Sequence, residues 1–271
     1  MTTHNRRTAL ITGVSSGLGR MTADRLHSSG WDVLGTARSP IPDAAFDVVN
    51  VDVTSAEDVE MIGTTVMERW GRLDALINNA GIAMLGPVEE LTPDEYRRNL
   101  DVNIVGAMAL VRACLPALRA AEGAVIQISS VSAFTAFAMF SAYHASKWGL
   151  EGATEALRAE LETQRVRVTL VEPASFRTEM ATKAPMAVAR TDEGRYGAAW
   201  RHLDEWLAWH HGLSADATAC VDAIVAVASR PDAPFRVPVG EGATQALRAQ
   251  AAAYQAAADR ADAFLASLIN S

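Results

Sequence analysis

The sequence predicts an α/β domain in which helices cover both faces of a doubly wound parallel sheet of about seven strands. Two observations predict it. Apolar runs of strand length alternate with amphipathic stretches of helix length, and the first run leads directly into a glycine-rich turn. Alternation of this kind is typical of parallel strands joined by crossover helices. With 271 residues, 49% of them hydrophobic, the chain can bury a large core, and we expect 1–271 to be one domain.

The predicted elements follow one another in a regular order. Ser55 followed by Asp58, and Thr92 followed by Pro93 and Glu95, match the N-cap, first-turn proline and capping-box positions of two helices. Ligands of such sheets bind at the carboxyl ends of the strands, so polar residues and glycines there are candidate site residues. The predicted strands are 8–12, 32–36, 46–51, 74–78, 124–129, 167–171 and 235–239.

The glycine-rich turn "TGVSSGLG" follows the first strand and opens the first helix. Gly13 can form the tight turn, Gly17 lets the backbone approach a pyrophosphate, and Gly19 lets the helix pack close to the sheet. The phosphates would lie at the helix N-terminus, where free N–H groups attract anions. This context indicates a Rossmann-like dinucleotide site. The loop residues assigned to it are Gly13, Ser15, Ser16, Gly17, Leu18 and Gly19.

The second strand indicates which dinucleotide is bound. An NAD site usually has an acidic residue there for the ribose 2′-hydroxyl. The strand ends "GTARSP" instead, with no carboxylate between Gly35 and Pro42 and with Arg38 in that region. A guanidinium binds a 2′-phosphate through paired hydrogen bonds. We therefore expect NADP(H) rather than NAD(H), with Arg38 and Ser39 at the phosphate; the alternative is that Arg38 is a solvated loop residue.

Tyr143 and Lys147 are the candidate catalytic pair. They stand four residues apart in "SAYHASKWGLEG", so on a helix they share a face. A free tyrosine has a pKa of about 10, and a nearby cation lowers that pKa by stabilising the phenolate. Ser129 and Ser130 end the fifth strand, and either hydroxyl can hold a substrate oxygen. Asn103 is a poor helix former inside a predicted long helix.

Six motifs in this order resemble those of the short-chain dehydrogenase/reductase family, over about residues 8–178. They are "TGVSSGLG", "VDV" at 51–53, "NNAG" at 78–81, Asn103 in "DVNIVG", Ser130 in "QISSVS", and Tyr143 with Lys147. The resemblance implies that Tyr143 is the general acid of reduction and the general base of oxidation, and that Lys147 also bonds the nicotinamide ribose. It favours Ser130 over Ser129.

The same resemblance implies further site residues. Asn103 would help to hold a water that links Lys147 to solvent. "VEPASFRTEM" is similar to the segment that meets the nicotinamide amide, although Ala174 stands where the family usually has glycine. The longer C-terminus is similar to that of hydroxysteroid and retinol dehydrogenases. The implied cofactor contacts are Asp52 and Val53 at the adenine, Asn79, Ala80 and Gly81 along the nucleotide, and Pro173 and Thr178 at the nicotinamide.

Apolar side chains indicate the substrate side. An insertion at about 179–213 holds three tryptophans, and Trp200, Leu203, Trp206 and Leu207 form one helical stripe. That stripe predicts a lid helix, a core helix or an oligomer contact. A helical extension covers about 242–271. We expect an apolar ketone or alcohol as substrate, contacted by Phe137, Met139, Phe140 and Trp200.

Composition excludes several other functions. The net charge of −8 and the lack of a basic block argue against nucleic acid and membrane surfaces as partners. Cys114 and Cys220 lie in apolar helical patterns and are expected to be core thiols. No metal site is expected at His210 and His211, and His144 is expected to be structural. We expect a cytoplasmic protein, and a homodimer or homotetramer because the resembled family commonly packs its long helices in this way.

The leading hypothesis is an NADP(H)-dependent oxidoreductase that transfers hydride between nicotinamide and an apolar ketone or secondary alcohol. One alternative is a catalytically silent NADP-binding redox sensor or regulator, which would not need the whole Asn, Ser, Tyr and Lys set. A second is an NAD-dependent alcohol dehydrogenase. An epimerase or dehydratase of nucleotide sugars fits less well, because its glycine spacing and substrate domain differ.

Overall fold

The structure, a computed structural model, describes residues 6–176, 185–191, 193–212 and 216–269. Its seven strands are β1 (Thr8–Thr12), β2 (Asp32–Ala37), β3 (Asp47–Asn50), β4 (Ala75–Asn78), β5 (Ala124–Ile128), β6 (Arg167–Pro173) and β7 (Arg236–Val239). They form one sheet in the order β3-β2-β1-β4-β5-β6-β7, and each pair is parallel. The predicted doubly wound parallel sheet is confirmed.

Helices connect the strands. The described helices are α1 (Gly17–Ser28), α2 (Ala56–Trp70), α3 (Pro93–Leu100), α4 (Ala107–Ala121), α5 (Ser141–Leu161), α6 (Gly197–Gly212), α7 (Thr218–Ser229) and α8 (Ala243–Ile269). A π-helical turn, Asp101–Gly106, joins α3 to α4. Both predicted helix starts are confirmed: Ser55 accepts a hydrogen bond from the Asp58 N–H, and Thr92 and Glu95 form a reciprocal capping box.

The sheet has an apolar core on each face. Successive residues of a strand point to opposite faces, so Ile11 packs in the cluster that contains Leu26 of α1 and Ile224 of α7. Its neighbour Leu10 packs in the cluster that contains Ile62 of α2 and Cys114 of α4. The alternating apolar pattern of the sequence is therefore used on both sides of the sheet.

The buried cysteines belong to these two cores, as expected. Cys114 and Cys220 are free thiols with no exposed surface. Burial raises the pKa of each thiol to about 12. Both therefore remain protonated side chains of the core at neutral pH.

One continuous helical stretch combines α3, the π-helical turn and α4. This stretch, Pro93–Ala121, is the one segment in the described part of the chain that is long and apolar enough to cross a membrane by length and composition alone. Leu110, Val111 and Leu118 within it are buried in the core beside α2. Packing against the sheet and α2 thus accounts for the apolar character of these side chains.

The connectivity places a crevice at one edge of the sheet. The chain runs outward from β1 through β2 to β3, and then returns to the other side of β1 with β4. At such a switch point, the segments that follow β1 and β4 diverge and leave a crevice at the carboxyl ends of the strands. The glycine-rich turn after β1 and "NNAG" at the end of β4 therefore lie side by side.

Candidate active site

The glycine-rich turn has a backbone that tolerates no side chains at two of its glycines. Gly13 has φ +72°, and a Cβ there would lie 2.9 Å from the Ala80 Cα. A Cβ on Gly19 would lie 2.3 Å from the Gly13 carbonyl oxygen. Gly17 also has positive φ, +57°. The three predicted glycine roles, a tight turn, a close backbone approach and close helix packing, match these positions.

Hydrogen bonds from the neighbouring strand ends hold this turn. Thr12 Oγ1 accepts from the backbone N–H groups of Asn79 (3.0 Å) and Ala80 (2.9 Å). The Asn79 side chain donates to the Thr12 carbonyl oxygen at 2.9 Å. The Gly13 N–H donates to the Thr36 carbonyl oxygen, 2.9 Å away. The ends of β1, β2 and β4 are thus tied together beneath the first turn of α1, which contains no acidic residue.

A cleft of about 380 Å³ begins at this turn and runs along the carboxyl edge of the sheet. Most of the predicted cofactor residues line it, whereas Gly19 and Ser39 do not, and Thr178 lies outside the described residues. Gly19 contributes by packing beneath the turn, as described above. The predicted residues that line the cleft are Gly13, Ser15, Ser16, Gly17, Leu18, Arg38, Asp52, Val53, Asn79, Ala80, Gly81, Tyr143, Lys147 and Pro173.

The residues around the cleft fit a dinucleotide. Gly13 and Gly17 place no side chain in the cleft wall, so phosphate groups can reach the backbone there, at the N-terminus of α1. Val53 and Val102 offer apolar surface to a base further along the cleft. Tyr143 and Lys147 stand at the other end, where a nicotinamide would lie.

Two arginines face the adenosine end of the cleft. Arg38 follows β2 and Arg98 lies on α3, and both line the cleft together with Asp52. Hydrogen bonds from the Thr54 N–H and hydroxyl hold the pKa of Asp52 below its usual range, and Arg38 and Arg98 act in the same direction. Sequence reasoning missed Arg98, because only the fold brings α3 to the end of β2.

Tyr143 is a buried phenol at the nicotinamide end of the cleft, 8% exposed. Burial raises its pKa, and a hydrogen bond with the Ser130 side chain opposes that shift. The expected lowering of this pKa by Lys147 is not found in the structure, where burial raises it. Ser130, which sequence spacing alone did not distinguish from Ser129, is the serine that meets the phenol.

Lys147 lies beneath Tyr143 on the same face of α5. Its Nζ is 5.8 Å from the centroid of the Tyr143 ring and donates to the Ile128 carbonyl oxygen at 2.8 Å. Burial lowers the pKa of Lys147 to about 8, and the charge of Glu151 opposes this shift. Lys147 therefore retains its proton at neutral pH, and its cation lies close to the phenol.

Asn103 lies in the π-helical turn and does not line the cleft. Its Oδ1 accepts from the Ile82 N–H (2.9 Å), and its Nδ2 donates to the Ile82 carbonyl oxygen and to Ser146 Oγ, both at 2.8 Å. The side chain thus ties the segment after β4 to α5. π-helical turns often occur at functional sites, and this one replaces the regular helix that was predicted around Asn103.

Ser146 is a positioning residue that sequence reasoning missed. Its hydroxyl donates to the Tyr143 carbonyl oxygen (2.7 Å) and accepts from the side chains of Asn99 (2.9 Å) and Asn103 (2.8 Å). Asn99, which is fully buried, also accepts a hydrogen bond from the Met84 N–H through its Oδ1. The only signal in the sequence is the interval of four residues between the two asparagines.

His144 supports the loop that precedes α5. Its Nε2 accepts from the Phe137 N–H (2.9 Å), and its Nδ1 lies 2.8 Å from the Ser132 carbonyl oxygen. Burial lowers the pKa of this imidazole, so it is neutral at pH 7 and its Nδ1 carries the proton. The structural role predicted for His144 is confirmed.

The apolar side chains expected at the substrate form a cluster beside Tyr143. Met139, Trp200, Leu203 and Leu207 are buried with the tyrosine in one cluster, and Phe140 packs against it. The predicted stripe of α6 is therefore turned toward the element that carries the phenol. Phe137, by contrast, is 55% exposed and packs on Phe140 and His144. None of the four residues assigned to the substrate lines the described cleft.

Several nearby positions lie outside the described residues. They include 177–184 and the segment 213–215, which belong to or adjoin the insertion predicted at 179–213. Side chains of 209–212, and so His210 and His211, are not described either. Among the residues that the structure does describe, no group of three or more His, Cys, Asp or Glu side chains could hold a metal ion.

The fold and the cleft define a class: an α/β oxidoreductase with a nicotinamide dinucleotide cleft and a Ser, Tyr and Lys set at its end. The family model "short chain dehydrogenase" matches residues 7–188. The chain belongs to the short-chain dehydrogenase/reductase family, whose fold binds nicotinamide cofactors.

Individual relatives agree with this assignment. The chain is 32% identical over 206 residues to trans-4-hydroxycyclohexanecarboxylate dehydrogenase of Sinomonas cyclohexanicum, covering 70% of this chain and 80% of the relative. A short-chain dehydrogenase from Streptomyces avermitilis superposes with a TM-score of 0.82 at 30% identity, over 95% of this chain and 96% of that one. A Burkholderia cenocepacia J2315 short-chain dehydrogenase in complex with NADP has a TM-score of 0.73 at 28% identity, over 94% and 97% of the chains.

Proposed function

We propose that this protein is an NADP(H)-dependent carbonyl reductase, reversible as an alcohol dehydrogenase, that acts on apolar ketones and secondary alcohols. The observation that carries the proposal is that Ser130 meets the buried Tyr143, with the buried Lys147 beside it, at one end of a cleft that also runs along the glycine-rich turn. A phenol in that place can exchange a proton with a substrate oxygen.

Each side chain of the set has a separate task. NADPH, when bound, supplies the hydride for the carbonyl carbon. Tyr143 donates its proton to the carbonyl oxygen, and the Ser130 hydroxyl holds the same oxygen as negative charge develops on it. Lys147 stabilises the phenolate that remains, because its ammonium lies 5.8 Å from the centre of the ring. In oxidation the same groups act in reverse, with Tyr143 as the base.

The choice of NADP(H) rests on the adenosine end of the cleft. Arg38 and Arg98 come from different elements, and both line the cleft beside Asp52. Two guanidinium groups favour a 2′-phosphate over a 2′-hydroxyl. The Burkholderia cenocepacia neighbour was solved with NADP, which supports the same choice.

The cofactor preference is tested by measuring kcat/KM with NADPH and with NADH. We expect NADPH to be preferred, and Arg38→Ala to reduce kcat/KM for NADPH by about tenfold or more, the effect of losing one charge-assisted contact. Arg98→Ala should act in the same direction, whereas neither variant should reduce kcat/KM for NADH as much. Arg97→Ala is the matched control, because Arg97 pairs with Asp94 on the surface and does not line the cleft. A wild-type preference for NADH would contradict the assignment.

The substrate class follows from the surroundings of Tyr143. The buried cluster beside it contains Met139, Trp200, Leu203 and Leu207, and these side chains offer no charge to a polar substrate. The Sinomonas relative acts, by its name, on a hydroxycyclohexane that also carries a carboxylate, and the ring and hydroxyl group of that compound match this class. We therefore favour a secondary alcohol or ketone on an apolar carbon frame.

The activity is tested with a panel of ketones and secondary alcohols, followed by NADPH absorbance. Tyr143→Phe should lower turnover by at least about a thousandfold, because no other group at this position can transfer the proton, while NADPH binding stays largely unchanged. Lack of turnover across the panel, with NADPH still bound tightly, would favour the alternative of a redox sensor. Retained turnover in Tyr143→Phe would contradict the mechanism.

We also propose that the protein is a cytoplasmic homodimer or homotetramer with no nucleic-acid or membrane partner. Large apolar side chains are exposed on neighbouring elements: Val105 after α3, Trp148 on α5 and Tyr254 on α8, where the Trp148 and Tyr254 rings lie 6.4 Å apart. Light scattering should give the mass of a dimer or tetramer. Trp148→Glu should weaken that assembly, whereas a monomer in the wild type would refute this proposal.

A further inference from the structure

A group of buried charges lies behind Lys147, away from the cleft. Arg236 of β7 donates from Nη1 to Glu151 of α5 and to Glu172 of β6, the latter at 2.6 Å, and from Nη2 to Glu155 at 2.6 Å. Glu172 has no exposed surface and Glu151 is 6% exposed, whereas the Glu155 side chain is 58% exposed. Two carboxyl groups therefore share one guanidinium nitrogen in the interior, and nothing in the proposed mechanism uses them.

These two carboxyl groups do not have enough hydrogen-bond partners for two negative charges. Glu151 Oε1 and Glu172 Oε2 are buried and have no hydrogen-bond partner in the described part of the chain. Two adjacent carboxylates in a buried site repel each other, so one of them keeps a proton. Burial and the nearby Glu151 raise the pKa of Glu172 to about 7. The pair therefore gains its second negative charge only near neutral pH.

The charge of Glu151 acts on Lys147. Glu151 follows Lys147 by four residues on α5, so the two side chains share one face of the helix. Lys147 is 4% exposed, and its described hydrogen bond goes to a neutral acceptor, the Ile128 carbonyl oxygen. A buried ammonium without a nearby carboxylate loses its proton at lower pH. Glu151 provides that carboxylate.

We propose that Glu151 is a positioning residue that keeps Lys147 protonated, and that Arg236, which also binds Glu172, holds the Glu151 carboxyl group in place. The inference rests on the proposed function, in which Lys147 acts as a cation beside Tyr143. Among the residues that the structure describes, the charged or titratable groups around Glu151 are Tyr143, Lys147, Glu155 and Arg158 from α5, Glu172 from β6 and Arg236 from β7. The guanidinium groups of Arg158 and Arg236 both lie over the Phe235 ring, at the edge of the cluster.

The composition of the chain allows the charge of Lys147 to be measured directly. The sequence contains two lysines, Lys147 and Lys183. In the full-length protein with lysine labelled at Cε with ¹³C, NMR therefore gives two titrating signals, and Lys183→Arg assigns them. We expect Lys147 in the wild type to titrate near pH 8, below an ordinary lysine. This measurement requires neither cofactor nor substrate.

Two isosteric variants of the carboxyl pair should have different effects. Glu151→Gln removes the carboxylate next to Lys147, so the midpoint of Lys147 should fall by about one pH unit. Glu172→Gln removes a carboxylate that bonds Arg236 and leaves Glu151 in place, so the midpoint should fall less than in Glu151→Gln. A purely structural role for the pair would give no such difference in size.

Two further variants serve as controls. Glu155→Gln also removes a carboxylate from Arg236, but an exposed one, so the Lys147 midpoint should hardly move. Glu151→Asp keeps the charge on a shorter side chain, should give a midpoint between those of the wild type and Glu151→Gln, and substitutes for the latter if it does not fold. Equal midpoints in the wild type and the Glu151 variants, or a fall in Glu155→Gln or Glu172→Gln as large as that in Glu151→Gln, would overturn the proposal.

Kinetics then connect the charge to the reaction. In an active enzyme, kcat/KM should fall at high pH as Lys147 loses its proton, and Glu151→Gln should move this fall to lower pH by the same amount as the NMR midpoint. A chain that binds NADPH but reduces no ketone would contradict the proposed function and leave the NMR comparison intact. A shifted kinetic profile without an NMR shift would contradict the role of Glu151 alone.

Discussion

At the scale of single residues, one serine hydroxyl holds the helix that carries Tyr143 and Lys147 in place. Ser146 bonds the Tyr143 carbonyl oxygen and the side chains of Asn99 and Asn103. Ser146→Ala removes a partner from two buried amides, and such a loss costs about 1–3 kcal/mol. Urea unfolding should therefore show that the free energy of unfolding of Ser146→Ala is about 2 kcal/mol lower than that of the wild type. Ser28→Ala, at an exposed helix end, should stay within about 0.5 kcal/mol; the same small change in Ser146→Ala would refute the inferred role.

The residues that sequence reasoning identified share one property: their roles depend on intervals along the chain. Tyr143 and Lys147 stand one helical turn apart, and Ser130 ends the strand that precedes them. Asn99, Ser146 and Arg98 were missed, because their partners come from other elements and only the folded chain brings them together. A local pattern thus indicates the reacting groups, but it does not show what positions them.

At the scale of elements, the turn after β1 needs glycine for a reason that can be tested. A Cβ on Gly19 would lie 2.3 Å from the Gly13 carbonyl oxygen, a backbone atom that cannot move without displacing the whole turn. We expect Gly19→Ala to raise the Kd of NADPH by about tenfold or more, measured by fluorescence titration. Gly152→Ala on α5 is the matched control, because no atom lies within 4 Å of the place that its methyl group would take. That variant should bind NADPH normally and unfold at slightly higher urea, by about 0.5–1 kcal/mol.

The elements themselves were largely predictable, and the exceptions have physical causes. Strands and helix starts follow from apolar periodicity and caps, such as the Thr92 and Glu95 capping box. The π-helical turn at Asp101–Gly106 was predicted as regular helix, because its extra residue is stabilised by contacts of Asn103 with Ile82 and Ser146. Such contacts join distant parts of the chain and leave no periodic signal.

At the scale of the whole molecule, the sheet order connects the two halves of the proposed function. The return of the chain from β3 to β4 opens the crevice for the nucleotide. The next crossover brings α5 beside β5 and β6, so the face of α5 that carries Tyr143 and Lys147 meets the cleft while Glu151 meets Glu172 and Arg236. One helix thus connects the reacting phenol to a charge cluster that also contributes to the stability of the fold.

This cluster should make the stability of the protein depend on pH. The pKa of Glu172 in the folded chain, about 7, lies above its ordinary value of 4.5. A carboxyl group whose pKa is raised in the folded chain stabilises the fold at pH values below its ordinary pKa. That contribution is lost as pH rises through the pKa of the folded state. Glu172→Gln removes this dependence. Between about pH 5 and pH 7.5, the free energy of unfolding of the wild type should therefore fall by about 2 kcal/mol relative to that of Glu172→Gln, measured by urea unfolding.

The comparison ends at pH 7.5 so that the titration of Lys147 does not contribute to it. Lys147 has a lowered pKa, about 8, so its own contribution is present above the pKa of the unfolded chain and is lost as pH falls through about 8. At lower pH, the contribution of Lys147 to stability is constant in the wild type and in Glu172→Gln. A stability difference between wild type and Glu172→Gln that stays constant from pH 5 to pH 7.5 would mean that Glu172 is ionised throughout. In that case Arg236 would hold two full carboxylates, and the shared proton of the pair would be refuted.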